Sequence, residues 1–230
     1  NGPLHMELIK GLSGCKLSLI DIENTHVVSK STSDIQYVDR LERQCSKQKN
    51  YRRLVTNQEN IFVPHVICES KTKDMFYFHM EYYLAHNSLT FLETSNILDI
   101  DKFIERIIQI IDINIQSSSY KKIKKIVLLK KINGIKEFLE RKGTIDTYVD
   151  FFEKAIKDVQ ALEDGIEIPV GVCHGDLTLS NILIQDGNFI LIDFLDSFIE
   201  TPLMDIVKIR QDTAHLWSID VIEKKLTRQN

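Results

Sequence analysis

The first third of the chain alternates short apolar, β-branched segments with turn residues, a pattern typical of β-strands. The strand-like segments are residues 6–12, 16–22, 25–31, 62–68 and 74–83. From Asp34 to about Asn57, apolar residues recur instead at helical spacing, and Asp34 is suited to cap the helix. The pattern therefore predicts three strands, a helix and two further strands.

The middle third has a helical pattern. Ile and Phe recur at spacings of three and four over residues 99–116, a segment too long for a strand. Residues 117–120 are predicted as a loop, with further helices over 121–142 and 144–164. Gly143 and Gly165 are suited to end these helices.

Beyond Gly165 the pattern returns to short strands. The segment ILIQDGNFILID predicts a hairpin that turns at Asp186-Gly187. Pro202 then opens an amphipathic helix. Altogether the pattern predicts an α+β fold with a β-rich N-terminal lobe (residues 6–83) and a mainly helical C-terminal lobe (residues 84–230). Residues 1–5, before Met6, look like a cloning remnant.

Composition narrows the functional classes. The chain has 230 residues, of which 43% are hydrophobic and 27% charged, as in ordinary globular proteins. The net charge of −4 gives no reason to expect nucleic acid or an anionic membrane as partner. We expect no membrane insertion, because every long apolar run is interrupted by charges. We also expect no secretion signal, because no basic start is followed by an apolar run and a small-residue cleavage site. The four cysteines form no CxxC pair, so we expect reduced thiols in a cytoplasmic protein.

The segment HGDLTLSN (174–181) fits the kinase catalytic-loop pattern H-x-D-L-x-x-x-N, and Asp193-Phe194 follows after the predicted hairpin. Asp176 or Asn181 alone would be an ordinary turn residue. Together these residue types suit phosphoryl transfer. Asp176 would accept the proton of the attacking hydroxyl, while Asn181 and Asp193 would hold Mg²⁺ against the phosphates.

These motifs resemble those of the aminoglycoside phosphotransferase and choline kinase group, which share the protein-kinase-like fold. HGDLTLSNIL is similar to the catalytic loop of the group, LIDFLDS (191–197) to its metal-binding segment, and MDIVKI (204–209) to a downstream helix. Gly175 stands where protein kinases have arginine, and DFL replaces DFG. The resemblance implies a two-lobed kinase-like fold, with His174 and Asp205 in structural roles.

The same resemblance and strand order suggest the nucleotide contacts. Lys30 on the third strand would steady the phosphates, with Glu42 on the helix as its acidic partner or as a solvated residue. Ser13 and Gly14 would cover the phosphates, although GLSG matches no strict glycine-rich motif. The backbone of Glu81 and Tyr83 would bind adenine. The apolar residues predicted to line the base pocket are Val28, Met80, Leu183 and Ile192.

The predicted function is ATP- and Mg²⁺-dependent transfer of the γ-phosphate to a hydroxyl of a sugar, amino alcohol or aminoglycoside, with GTP as an alternative donor. Asp196 and Glu200 could bind a cationic acceptor. An atypical protein kinase is less favoured, because only 11 residues separate Asp193 from Asp205 and no APE follows. A non-catalytic nucleotide-binding module is the third possibility. The oligomeric state stays open.

Overall fold

The computed structural model describes residues 15–22 and 25–220 with their side chains, and the backbone of residues 7–9. Ser13 and Gly14, predicted to cover the nucleotide phosphates, lie outside the described residues. The strands are β1 (Glu7–Ile9), β2 (Lys16–Ile22), β3 (Thr25–Thr32), β4 (Ile61–Phe62), β5 (Val66–Lys71), β6 (Phe76–Glu81), β7 (His86–Asn87), β8 (Ser119–Ile123), β9 (Ile166–Val170), β10 (Ile182–Gln185) and β11 (Asn188–Leu191). The α-helices are α1 (Ile35–Val55), α2 (Ser88–Thr94), α3 (Ile97–Gln116), α4 (Lys125–Arg141), α5 (Val149–Ala161) and α6 (Pro202–His215).

An antiparallel sheet in the order β1-β2-β3-β6-β5 forms the N-terminal part. Helix α1 packs on this sheet through a stripe that includes Leu41 and Cys45, against Phe78 of β6. Asp34 caps α1 by accepting a hydrogen bond from the N–H of Gln36 at 3.0 Å. The predicted succession of strands and helix is confirmed, with the short β4 added after α1.

The β10–β11 hairpin forms the centre of a second sheet, in the order β4-β11-β10-β7. Asp186 and Gly187 have φ values of 52° and 76°, as a two-residue turn with both residues left-handed requires. The predicted hairpin is therefore confirmed. Its buried face joins the end of α1 and helix α3 in one apolar core, so the loops at either end of the hairpin have a rigid support.

The structure corrects the prediction for residues 117–164. Residues 119–123 are not loop and helix but strand β8, which pairs antiparallel with β9. Pairing with a strand more than 40 residues away satisfies the backbone of this lysine-rich segment, and no local pattern encodes such a partner. The helix predicted over residues 144–164 also begins later, at Val149, because a 3-10 turn at Ile145–Tyr148 precedes α5. The short β7 and α2 were not predicted.

A β-rich N-terminal part followed by a mainly helical C-terminal part confirms the predicted α+β class. Within the part of the chain that the structure describes, no helix is long and apolar enough to cross a membrane.

Candidate active site

Asp176 and Asn181 lie in the loop between β9 and β10. The Asn181 Nδ2 donates to the Asp176 main-chain oxygen at 2.8 Å and to its Oδ2 at 3.1 Å. Both partners are acceptors, which fixes the amide nitrogen on that side and leaves Asn181 Oδ1 directed away from Asp176. A 3-10 turn at Leu179–Asn181 explains how five residues of separation bring the two side chains together.

Asp193 follows β11, and the N–H of Ile192 donates to the Asn181 carbonyl at 3.1 Å. The hairpin therefore returns the chain to the loop that carries Asp176 and Asn181. Asp193 has φ of 60°, a region that residues other than glycine seldom occupy and that is frequent at functional sites. Its carboxylate, 45% exposed, remains accessible to a ligand.

Lys30 reaches this carboxylate from β3, with its Nζ 3.0 Å from Asp193 Oδ1. The lysine is buried. Burial alone would lower the pKa of Lys30, but the charge and hydrogen bond of Asp193 outweigh it, so the pKa lies above its usual value. Lys30 is therefore a permanently charged group beside Asp193.

His174 is fully buried and holds the backbone of the loop. Its Nδ1 accepts from the N–H of Asp176 at 3.2 Å, so Nε2 carries the proton and donates to the Ile192 carbonyl at 2.8 Å. Burial lowers the pKa of His174 to about 3. A neutral imidazole with both nitrogens engaged suits a structural role.

Asp205 of α6 binds the backbone of the same loop. Its Oδ2 accepts from the N–H of His174 at 2.8 Å, and its Oδ1 accepts from the N–H of Gly175 at 2.8 Å. Burial raises the pKa of Asp205 to about 6, although these donors act in the opposite direction. Asp205 thus fixes two successive peptide units ahead of Asp176.

Sequence reasoning missed the support behind Asp205. The Tyr51 hydroxyl donates to Asn114 Oδ1 at 2.7 Å, and Asn114 Nδ2 donates to Asp205 Oδ2 at 2.9 Å. The Tyr51 ring lies 5.0 Å from that of Phe194, between ring centres. Helix α1 is thus joined to the loop through α3 and α6. The available signal was Asn114, a polar residue within the apolar periodicity of α3.

The backbone at Gly175 explains the absence of arginine there. Gly175 has φ of 88°, and a Cβ atom would lie 2.0 Å from the Leu195 carbonyl oxygen. Lys47 occupies the adjacent space and donates to that oxygen at 2.5 Å and to Glu200 Oε2 at 2.6 Å. A side chain at position 175 would collide with backbone, so the loop requires glycine.

The predicted pairing of Lys30 with Glu42 is not found. Glu42 lies on the exposed side of α1 and binds Lys71 of β5, with Oε2 2.6 Å from Nζ. The position of Glu42 on the helix turns its carboxylate toward the sheet edge, while Asp193 provides the charge at Lys30.

The structure also changes the interpretation of Asp196 and Glu200. Asp196 Oδ2 accepts from Arg43 Nη2 at 3.1 Å, and Glu200 binds Lys47. Both acids line a cavity of about 930 Å³ between α1 and the loops around residues 171–173 and 196–200. Arg43 and Lys47 of α1 compensate the charges of these two acids, so we no longer expect the acids to attract a cationic acceptor.

The predicted base pocket has a partial structural counterpart. Val28 and Met80 are cross-strand partners on β3 and β6. Leu183 and Ile192 are half-buried, whereas their neighbours Ile182 and Leu191 are fully buried. This alternation leaves one apolar face of the hairpin outside the core.

Residues 81–83 offer fewer backbone groups for binding adenine than the sequence predicted. The N–H of Glu81 donates to the His65 carbonyl at 3.0 Å, so it is already used. The Glu81 carboxylate accepts from the N–H of His65 at 2.8 Å and from the Tyr83 hydroxyl at 3.1 Å. These bonds fix the strand end that the sequence assigned to adenine.

Asp176 has a second partner that the sequence did not reveal. Lys208 of α6 lies with its Nζ 2.9 Å from Asp176 Oδ1. Its only sequence signal is a position one helical turn after Asp205.

The donor set at the end of the hairpin suits Mg²⁺, which prefers carboxylate and amide oxygens and takes its other ligands from phosphates and water. Asp193 provides a carboxylate, and Asn181 provides the amide oxygen that faces away from Asp176. Among the described residues, no group of three or more His, Cys, Asp or Glu could hold a metal ion. A Mg²⁺ ion here would therefore need the nucleotide for further ligands.

Comparison with known proteins supports the predicted family resemblance and fold. Residues 136–226 match the model of the phosphotransferase enzyme family. A thermostable mutant of aminoglycoside phosphotransferase APH(4)-Ia, solved with AMP-PNP and hygromycin B, has a TM-score of 0.66 at 11% identity, with 98% of this chain and 77% of that chain covered. The predicted resemblance is confirmed.

Two further structures share the aminoglycoside phosphotransferase-like fold. Spectinomycin phosphotransferase APH(9)-Ia, with ADP and spectinomycin, has a TM-score of 0.56 at 13% identity and covers 89% of this chain and 68% of its own. A Haemophilus somnus 129PT protein described as a fructosamine-3-kinase has a TM-score of 0.55 at 14% identity, covering 90% and 75%. No curated protein sequence matches the chain significantly.

Proposed function

We propose that the protein is an ATP- and Mg²⁺-dependent phosphotransferase that moves the γ-phosphate to a hydroxyl of a small molecule. One observation carries the proposal: the hairpin brings Asp193 back to the loop in which Asn181 binds Asp176, and Lys30 meets Asp193 there. A base, two oxygen ligands and a cation are the groups that phosphoryl transfer requires. GTP is the alternative donor.

Asp176 would orient the acceptor hydroxyl and take its proton as the oxygen attacks the γ-phosphorus. The new O–P bond forms as the bond to the β-phosphate oxygen breaks, and ADP leaves with that electron pair. Asn181 Oδ1 and the Asp193 carboxylate would hold Mg²⁺, which neutralises phosphate charge. Lys30 would turn from Asp193 toward the phosphates, so that charge compensation is present before the reaction.

Under this proposal, residues 6–83 form the nucleotide-binding lobe and residues 84–230 carry the chemistry. The base would lie among Val28, Met80, Leu183 and Ile192. We also propose a cytoplasmic location, since ATP and Mg²⁺ are available there. Cys15, Cys45, Cys68 and Cys173, all within the described residues, form no disulfide, as a reducing compartment allows.

The structural neighbours support a nucleotide and a small acceptor as ligands, since their complexes contain ADP or AMP-PNP with hygromycin B or spectinomycin. The acceptor would be a sugar, an amino alcohol or an aminoglycoside. An atypical protein kinase would instead phosphorylate a generic protein substrate and no small alcohol.

The test is ADP release with Mg-ATP over sugars, amino alcohols and aminoglycosides, for the wild type and Asp176→Asn. The variant should lose nearly all turnover yet keep its thermal shift with ATP, because Asp176 is assigned to the acceptor. The shift with ATP should be larger when Mg²⁺ is present. Full turnover by Asp176→Asn would contradict the assignment, and ATP binding without turnover would favour a non-catalytic module.

A further inference from the structure

Lys208 is a cation beside Asp176, the proposed base. The proposed reaction assigns no role to Lys208. It is carried by α6, and its Nζ lies 2.9 Å from Asp176 Oδ1. Its side chain is 27% exposed, so Lys208 is not sealed inside the protein. A charged group at this distance would feel any charge that an acceptor carries near its reacting hydroxyl.

The two oxygens of Asp176 face different partners. Oδ2 accepts from Asn181, the proposed metal ligand, whereas Oδ1 meets Lys208. Lys30 provides the cation at Asp193. Lys208 therefore lies at the oxygen of Asp176 that is not bound to the metal-binding amide, which is where the acceptor would have to approach.

The acids that follow the hairpin are all paired within the protein. Each of the five acids described between residues 193 and 212 already has a protein partner. Asp193 binds Lys30, Asp196 binds Arg43, Glu200 binds Lys47, Asp205 accepts from the N–H groups of residues 174 and 175, and Asp212 accepts from those of residues 179 and 218. An aminoglycoside would have to displace these partners to gain an ion pair.

The segment that precedes α5 is rich in lysine and arginine, whereas the charged residues of α5 and β9, which pack against it, are mostly acidic. Residues 119–142, which comprise β8 and α4, carry nine Lys and Arg against two Glu. Strand β8 pairs with β9, which leads into the catalytic loop. Lys131 of α4 lies with its Nζ 5.5 Å from the ring centre of Phe198, in the loop after Asp193.

We propose that the acceptor is an alcohol bearing an anionic group, a phosphate or a carboxylate, close to the reacting hydroxyl, and that Lys208 contacts this group. The inference rests on the proposed phosphotransferase function. On binding, the anion takes Lys208 from Asp176 Oδ1, which frees that oxygen to accept the hydroxyl proton. Lys208 thereby favours anionic alcohols and disfavours polycations.

Matched pairs of acceptors test this inference. ADP release is measured with two pairs of acceptors, glycerol with glycerol 3-phosphate and glucose with glucose 6-phosphate. Glycerate is added as an alcohol with a carboxylate, and kanamycin and hygromycin B are added as polycations. We expect the wild type to prefer the anionic member of a pair by about tenfold or more in kcat/KM, as a charge-assisted contact implies. Lys208→Gln should lose this preference mainly through KM, and Lys208→Arg should retain it.

Lys154→Gln is the matched control, because Lys154 forms an exposed pair with Asp158 on α5. Better turnover of a neutral or polycationic acceptor than of every anionic one would overturn the inference, as would an unchanged preference in Lys208→Gln. Failure of every anionic acceptor would also overturn it while leaving the proposed function intact, provided that ATP turnover depends on Asp176. Absence of any Asp176-dependent ATP turnover would overturn the proposed function itself.

Discussion

Lys30 Nζ lies 3.0 Å from Asp193 Oδ1, although the two residues are separated by 163 positions in the chain. One belongs to the N-terminal sheet and the other to the end of the β10–β11 hairpin. The pair joins the cation assigned to the phosphates with the carboxylate assigned to the metal. We therefore expect nucleotide binding to exchange this contact for contacts to phosphate and metal.

Lys30→Met should raise the KM for ATP by roughly ten- to hundredfold, because a charge-assisted contact to phosphate is lost. Steady-state kinetics at varied ATP concentration measures the change. Lys71→Met is the control, since Lys71 is a partly exposed strand lysine that binds Glu42 and Asp39. Glu42→Gln should likewise leave the KM unchanged. A KM increase in Glu42→Gln equal to that in Lys30→Met would contradict the pairing seen in the structure.

Gly175→Ala should unfold at a lower temperature and lose most of its activity. The left-handed backbone costs about 1–2 kcal/mol for any residue with a Cβ, and the Leu195 carbonyl at 2.0 Å adds a collision with backbone. Gly187→Ala is a matched control, because its φ is also positive but no atom lies within 4 Å of an added Cβ. Equal losses in the two variants, measured by thermal unfolding, would argue against the collision.

Asp205→Asn should lower the free energy of unfolding by at least about 2 kcal/mol. The amide retains one acceptor oxygen, whereas the carboxylate serves the N–H groups of His174 and Gly175 and the amide of Asn114. Urea unfolding measures the loss. Asp158→Asn, on the exposed surface of α5, should change stability by less than about 0.5 kcal/mol. A neutral effect of Asp205→Asn would show that these bonds do not hold the loop.

His174 should make the protein less stable as the pH falls. Its pKa is about 3 in the folded protein against an ordinary value of 6.5, so only the unfolded chain takes up this proton in that interval. The folded state therefore loses roughly 1–2 kcal/mol between pH 6.5 and pH 5 through this residue, since one pKa unit corresponds to about 1.4 kcal/mol and the unfolded imidazole is already half protonated at pH 6.5. Urea unfolding across this range measures the effect.

Asp205 acts in the opposite sense, because its pKa is raised from 3.8 to about 6 and its contribution falls as the pH rises between these values. The contribution of His174 is therefore obtained as the difference in unfolding free energy between wild type and His174→Gln at each pH. That difference should shrink as the pH is lowered from 6.5 to 5. A constant difference would mean that the imidazole takes up its proton equally in the folded and unfolded states, so that its pKa is not lowered by folding.

The sequence alone predicted the elements that depend on local spacing. The α1 helix with its Asp34 cap, the Asp186-Gly187 hairpin and the α6 helix after Pro202 all follow from periodicity and turn chemistry within a few residues. The sequence also predicted Asp176, Asn181 and Asp193 as one group, and the structure brings them together through one 3-10 turn and one hairpin.

Only the tertiary structure decided which side chains from distant elements meet. Glu42 pairs with Lys71 rather than Lys30, Lys208 reaches Asp176 from α6, and Asn114 joins Tyr51 to Asp205. Such contacts depend on how far apart packed helices and sheets lie and how they cross, and a difference of one turn redirects a side chain. Sequence spacing fixes which residues share an element, but packing between elements fixes the charges that surround Asp176.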